Sequence, residues 1–215
     1  MRCALRRDRG VVGWWAAILS CALAACAPAL NWREVRPEQT DGLQATFPCK
    51  PDAVERRLAL PGLPEPVVLH VLSCQADGGM WVLSHLTVTD AAQVPVALRA
   101  LAAATRGNVE AATRAAIRQA GADVAAATVA LRASELPPAT VPGMTPQPDS
   151  RAWRFDALRP GEGGGPGVPM AVTAWHFSHG LTVFQASVWQ QGEGTTAHSG
   201  REAVATFLQG FHFPG

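Results

Sequence analysis

Apolar residues in this chain recur at every second position, then with a period near 3.6, then at every second position again. That double change constrains the fold more than any single motif. In the first stretch Leu43, Ala45 and Phe47 alternate with Gln44 and Thr46, as in a half-buried strand, and Pro48 ends it. Val54 to Leu60 reads as a second strand, closed by Pro61-Gly62 and Pro64. Val67 to Gln75 is apolar on both faces and reads as a central strand. Asp77-Gly78-Gly79 supplies a hairpin turn, and Met80 to Thr89 returns as its partner.

The period shifts after Asp90. Val94, Leu98, Leu101 and Thr105 mark one helical stripe; Val109, Ala112, Ala116, Ile117 and Ala120 mark another. Gly107-Asn108 lies between them and predicts a break or kink. Glu110 and Arg114 form a favourable i,i+4 pair on the wet face. Val124 to Leu131 fits a helix or a strand. Pro137 to Pro148 holds five prolines and reads as a loop. Alternation resumes at Trp153, Phe155 and Ala157. Gly161 to Gly167 is a flexible glycine-rich connection. Val168 to Phe177 and Leu181 to Trp189 then predict a hairpin around His179-Gly180. A final helix is expected, with Ser199 and Glu202 as its capping box and Val204, Phe207, Leu208 and Phe211 as its apolar stripe. Strands, a helical middle, more strands and a closing helix make an α+β chain: a mostly antiparallel β-sheet packed with helices.

The first 25 of the 215 residues read differently. Arg2, Arg6, Arg7 and Arg9 precede an apolar run from Val11 to Leu19, as in a secretion signal. Leu23-Ala24-Ala25-Cys26 follows and resembles the bacterial lipobox, a Leu and two small residues before an obligatory Cys. Small side chains let a peptidase reach the backbone, and the thiol accepts the lipid. The resemblance implies a signal peptide at 1–25, a lipidated tether at 26–31 beginning with Cys26, and a single domain at 32–215. Two or more acyl chains anchor a protein stably. Ala27, where an Asp retains lipoproteins in the inner membrane of many proteobacteria, favours the outer membrane, facing the periplasm. Two other readings fit the same residues: ordinary cleavage within Ala25-Cys26-Ala27, or an uncleaved helix over Val11 to Ala27, short for a span of about 20 residues.

Removing the leader lowers the basic count from 18 to 14 and the acidic count from 17 to 16, a net charge of −2. Lys50 is the only lysine and no arginine run survives, so no nucleic acid is expected as a partner. Of five cysteines, Cys3 and Cys21 leave with the leader and Cys26 takes the lipid. Cys49 and Cys74 remain, an even pair in an exported domain, and one disulfide is the simplest reading. Two buried free thiols or a redox pair are the alternatives, the latter disfavoured by the wide spacing.

Three segments resemble the Mog1/PsbP-like fold. Leu43-Gln44-Ala45-Thr46-Phe47-Pro48 is similar to its early strand ending in Phe-Pro. Leu181 to Trp189 is similar to its late hairpin strand. Phe207-Leu208-Gln209-Gly210-Phe211-His212-Phe213 resembles its closing Phe-Leu-x-Ser-Phe helix end. The chain departs at Gly210, where a Ser is usual, and in lacking Tyr. Members include small envelope lipoproteins and accessory subunits of larger complexes, so the resemblance implies an interaction role over residues 32–213.

No catalytic constellation, cofactor motif or metal set is expected. His176 and His179 are three apart on a strand and face opposite ways unless a turn begins between them. His70, Ser73 and Asp77 lie on one strand and its turn, without a G-x-S-x-G elbow; His70 and His85 read as paired or half-buried strand residues. Pro166 and the missing Lys keep the glycine segment from being a phosphate loop. Trp153, Trp175 and Trp189 are expected to cover one sheet face, and if exposed they would form a docking or ligand surface. The sequence thus leads first to a non-enzymatic, lipid-anchored accessory or assembly module with an envelope protein as partner. The second reading is a binding module for a small apolar ligand or envelope lipid, held between the sheet and the helices of 93–120. An enzyme is the third.

Overall fold

The structure, a computed structural model, describes residues 30–122, 131–138, 140–191 and 198–214. The signal segment, Cys26 and positions 124–130 lie outside the described residues.

Nine strands and two longer helices follow in order: β1 (Arg33–Val35), β2 (Ala45–Phe47), β3 (Asp52–Leu58), β4 (Val67–Ala76), β5 (Gly79–Thr87), α1 (Gln93–Gln119), β6 (Arg132–Leu136), β7 (Arg151–Arg159), β8 (Val168–His179), β9 (Thr182–Gln191) and α2 (His198–Gln209). β1 and β2 pair in a small sheet. The other seven form one antiparallel sheet in the order β3-β4-β5-β9-β8-β7-β6. Two meanders build it, β3 to β5 and β6 to β9. α1 crosses from one to the other, and β9 closes the sheet against β5. The chain is α+β with a mostly antiparallel sheet, as the periodicity required.

One face of the large sheet lies under α1. Leu98, Leu101 and Val94 pack with Leu86 and Val183 at one end, and Val109 packs with Phe155, Met170 and Val172 at the other. The opposite face carries β1, β2, α2 and the C-terminal segment. There Phe47, Trp81, Phe177, Phe184, Phe207 and Phe211 share one core. Phe207 stands edge-on to Phe47, Trp81 and Phe211 at centroid distances of 5.2, 5.3 and 4.9 Å. Cys49, two residues after β2, is disulfide-bonded to Cys74 of β4, with Cα atoms 6.0 Å apart. The bond fastens the small sheet to the large one.

Several expectations need correction. α1 runs unbroken through Gly107-Asn108. Thr105 and Val109 are both buried and one helical step apart, so the two stripes share one phase. Gly107 falls on the exposed face, where its helix penalty of about 1 kcal/mol is too small to break a packed helix. The Thr105 and Thr113 hydroxyls donate back to the carbonyls of Leu101 and Val109. β4 is interior but second from the edge, and most of it is only half-buried; β5, β8 and β9 are buried on both faces. Strands β1 and β6 escaped notice because they are three and five residues long and largely exposed. α2 is described from His198, and the expected capping box at Ser199 lies outside the described side chains. The glycine segment is tied down: Gln119 Nε2 donates to the carbonyls of Gly161 and Gly165 at 2.8 and 3.1 Å.

Other readings hold. The Asp77-Gly78 turn has φ of 49° and 67°, the two positive values of a tight hairpin turn. Glu110 and Arg114 pair at 3.8 Å. Gly210 has a physical reason: a side chain there would fall onto Thr46 of β2.

Candidate functional site

A row of three polar side chains crosses strands β3, β4 and β5 on the face opposite α1. Strand register places Glu55 opposite His70 and His70 opposite His85, with Phe184 of β9 next in line. Glu55 Oε1 lies 3.1 Å from His70 Nδ1. The imidazoles of His70 and His85 stack at a centroid distance of 4.8 Å, with 8° between their planes. His85 is 2% exposed, and its Nδ1 is buried without a hydrogen-bond partner. Burial lowers its pKa to about 4, and the neighbouring His70 adds to the effect.

The segment Pro37 to Gln39 spans this row. Thr40 pins the segment by donating to the Pro37 carbonyl at 2.7 Å, and Asp41 accepts from Thr182 of β9 at 3.2 Å. Gln39 and Asp41 adopt positive φ, 57° and 53°, in the tight path that results. Beneath it opens a cleft of about 490 Å³ lined by Glu38, Glu55, His70 and His85 together with apolar side chains. A second cleft of about 460 Å³ shares Gln39 and His70 and continues towards Glu65 and Gln93.

The carboxylate beside His70 can orient it for proton transfer. Ser73 is not its nucleophile. It projects from the other face of β4, three residues along, and Asp77 lies roughly 20 Å away along the strand. Among the described residues no three His, Cys, Asp or Glu side chains converge to hold a metal ion. His176 and His179 are kept apart. His176 is 1% exposed beneath α1, its Nε2 3.4 Å from the Thr105 hydroxyl, and burial lowers its pKa to about 4. His179 stacks on Phe213 at 4.1 Å and its Nδ1 contacts the Gly143 carbonyl at 2.7 Å.

The three tryptophans do not share a face. Trp153 pairs with Ala174 and Trp189 with Val172, which places both on the α1 side; Trp175 points the other way. Pleating alternates faces, so an even-numbered offset along β8 was needed and Trp175 breaks it. Trp153 is half-buried under the Arg106 guanidinium, 5.0 Å from its ring centre. Trp175 is 5% exposed and borders an apolar groove of about 340 Å³ beside Val204 and Leu208 of α2. Between α1 and the sheet, where an apolar ligand was expected, Val94, Leu98, Leu101 and Val109 pack against side chains of the strands.

No helix among the described residues is long and apolar enough to cross a membrane. In comparison with known proteins, no family model and no curated sequence matches the chain.

Proposed function

We propose that this is a lipid-anchored protein of the bacterial cell envelope that serves as a non-enzymatic accessory or assembly module. The observation that carries the reading is the Cys49–Cys74 bond. Disulfides persist in exported compartments and are rare in reducing ones, and the chain begins with residues that resemble an export and lipidation signal ending at Cys26. Acyl chains on Cys26 would hold the domain at the membrane, periplasm-facing, and Ala27 favours the outer membrane. The large antiparallel sheet between one long helix and a small sheet with a short helix is compatible with a Mog1/PsbP-like fold, whose members include accessory subunits.

A quantitative pull-down tests it. The protein is tagged at its C-terminus, extracted gently from envelopes and compared with Cys26→Ser. One envelope protein recovered near stoichiometry, and depleted with the unanchored variant, is the expected result. No enriched protein in either sample would overturn the accessory role.

A further inference from the structure

We propose that the cleft over the Glu55–His70–His85 row is a binding site for a small organic cation, an amine carried on an apolar body. This reading goes beyond the accessory role and does not rest on it.

Charge selects the ligand. Glu38 and Glu55 are the charged lining residues other than the histidines, and neither Lys nor Arg lines the cleft. The adjoining cleft repeats the pattern, with Glu65 as its charged lining residue. Arg57, next after Glu55 on the same face of β3, lines neither cleft. An anion would meet two carboxylates with no Lys or Arg beside them, whereas an ammonium gains charge-assisted hydrogen bonds to them. The walls suit an apolar body: Pro37, Ala53 and Leu72.

The base of the cleft points to a ligand independently. His85 lines the cleft yet is 2% exposed, and its Nδ1 is buried without a hydrogen-bond partner. Buried polar groups are otherwise paired almost without exception. Burial keeps this imidazole neutral at pH 7, so the floor of the cleft adds no charge that would repel a cation. Sites of this volume hold small molecules rather than polymers.

The test is a titration of the purified domain with tryptamine at pH 7.5, followed through the ring signals of His70 and His85 by NMR. Indole-3-acetate and indole-3-ethanol serve as anionic and neutral counterparts. Tryptamine is expected to give saturable shifts with a Kd in the low millimolar range. The alcohol should bind more weakly and the acetate should not bind. Glu55→Gln, at an exposed position that leaves the fold intact, should weaken tryptamine about tenfold. No saturable shift with tryptamine, equal binding of the acetate, or an unchanged Kd in Glu55→Gln would each overturn the proposal.

Discussion

The rings of His70 and His85 lie face to face on neighbouring strands, 4.8 Å apart and within 8° of parallel. Two imidazolium ions in that arrangement would repel, and the inner one is sealed from water. Around His85 stand His70 and then Glu55 on one side, Phe184 on the other, and Glu38 across the cleft. The site is therefore built around a neutral His85, and that has a consequence for pH.

Stability should fall as pH drops from about 6.5 to 4. The folded-state pKa values of His85 and His176 are both lowered to about 4, mainly by burial, while unfolded histidine titrates near 6.5. Between those values the unfolded chain binds the extra protons, so the stabilisation is complete above about pH 6.5 and is lost below it, on the order of 2–3 kcal/mol per histidine. Urea midpoints at pH 7.5 and 5 check this. His85→Phe should flatten part of the slope; equal midpoints in the native chain would contradict the account.

Gly107→Ala should stabilise the protein by about 0.5–1 kcal/mol. Gly107 sits in mid-helix, exposed, with open space where a methyl group would go. A loss of stability on thermal melting would mean that the helix does break there.

Gly210→Ser should destabilise by about 1–3 kcal/mol through overpacking, although Ser is usual at this place in the fold the chain resembles. The added atoms would meet Thr46, whose hydroxyl already approaches the Gly210 carbonyl at 3.4 Å. In a double-mutant cycle, Thr46→Gly should recover part of the loss. Additive losses would place the cause elsewhere.

Reducing the Cys49–Cys74 bond should cost roughly 3 kcal/mol in the chain-entropy view, since the residues are 25 apart in sequence. The Cys49→Ser, Cys74→Ser double variant should melt well below the native protein, and native protein should show no thiol titre from either cysteine. A titre of two from them would refute the bond.

The sequence made the strands legible wherever one face was buried, because Leu43, Ala45 and Phe47 had to alternate with polar neighbours. It also held more of the site than its motifs revealed. A two-residue turn at Asp77-Gly78 fixes the register of β4 and β5, and His70 and His85 are each six residues from the closing pair Ala76–Gly79. Their pairing follows from the turn alone. Glu55 does not, because the longer connection between β3 and β4 leaves that register open. The Pro37–Gln39 segment over the row depends on contacts to Thr182, far along the chain, and no local pattern marks it. Helix continuity through Gly107 was a matter of packing overriding propensity.

The central claim, that the domain is held at an envelope membrane through Cys26, is tested most directly by fractionation. Membranes from cells expressing the native chain and Cys26→Ser are washed at alkaline pH and probed for the protein. Retention of the native form with release of the variant is the predicted result; a variant that stays with the washed membranes would contradict the account.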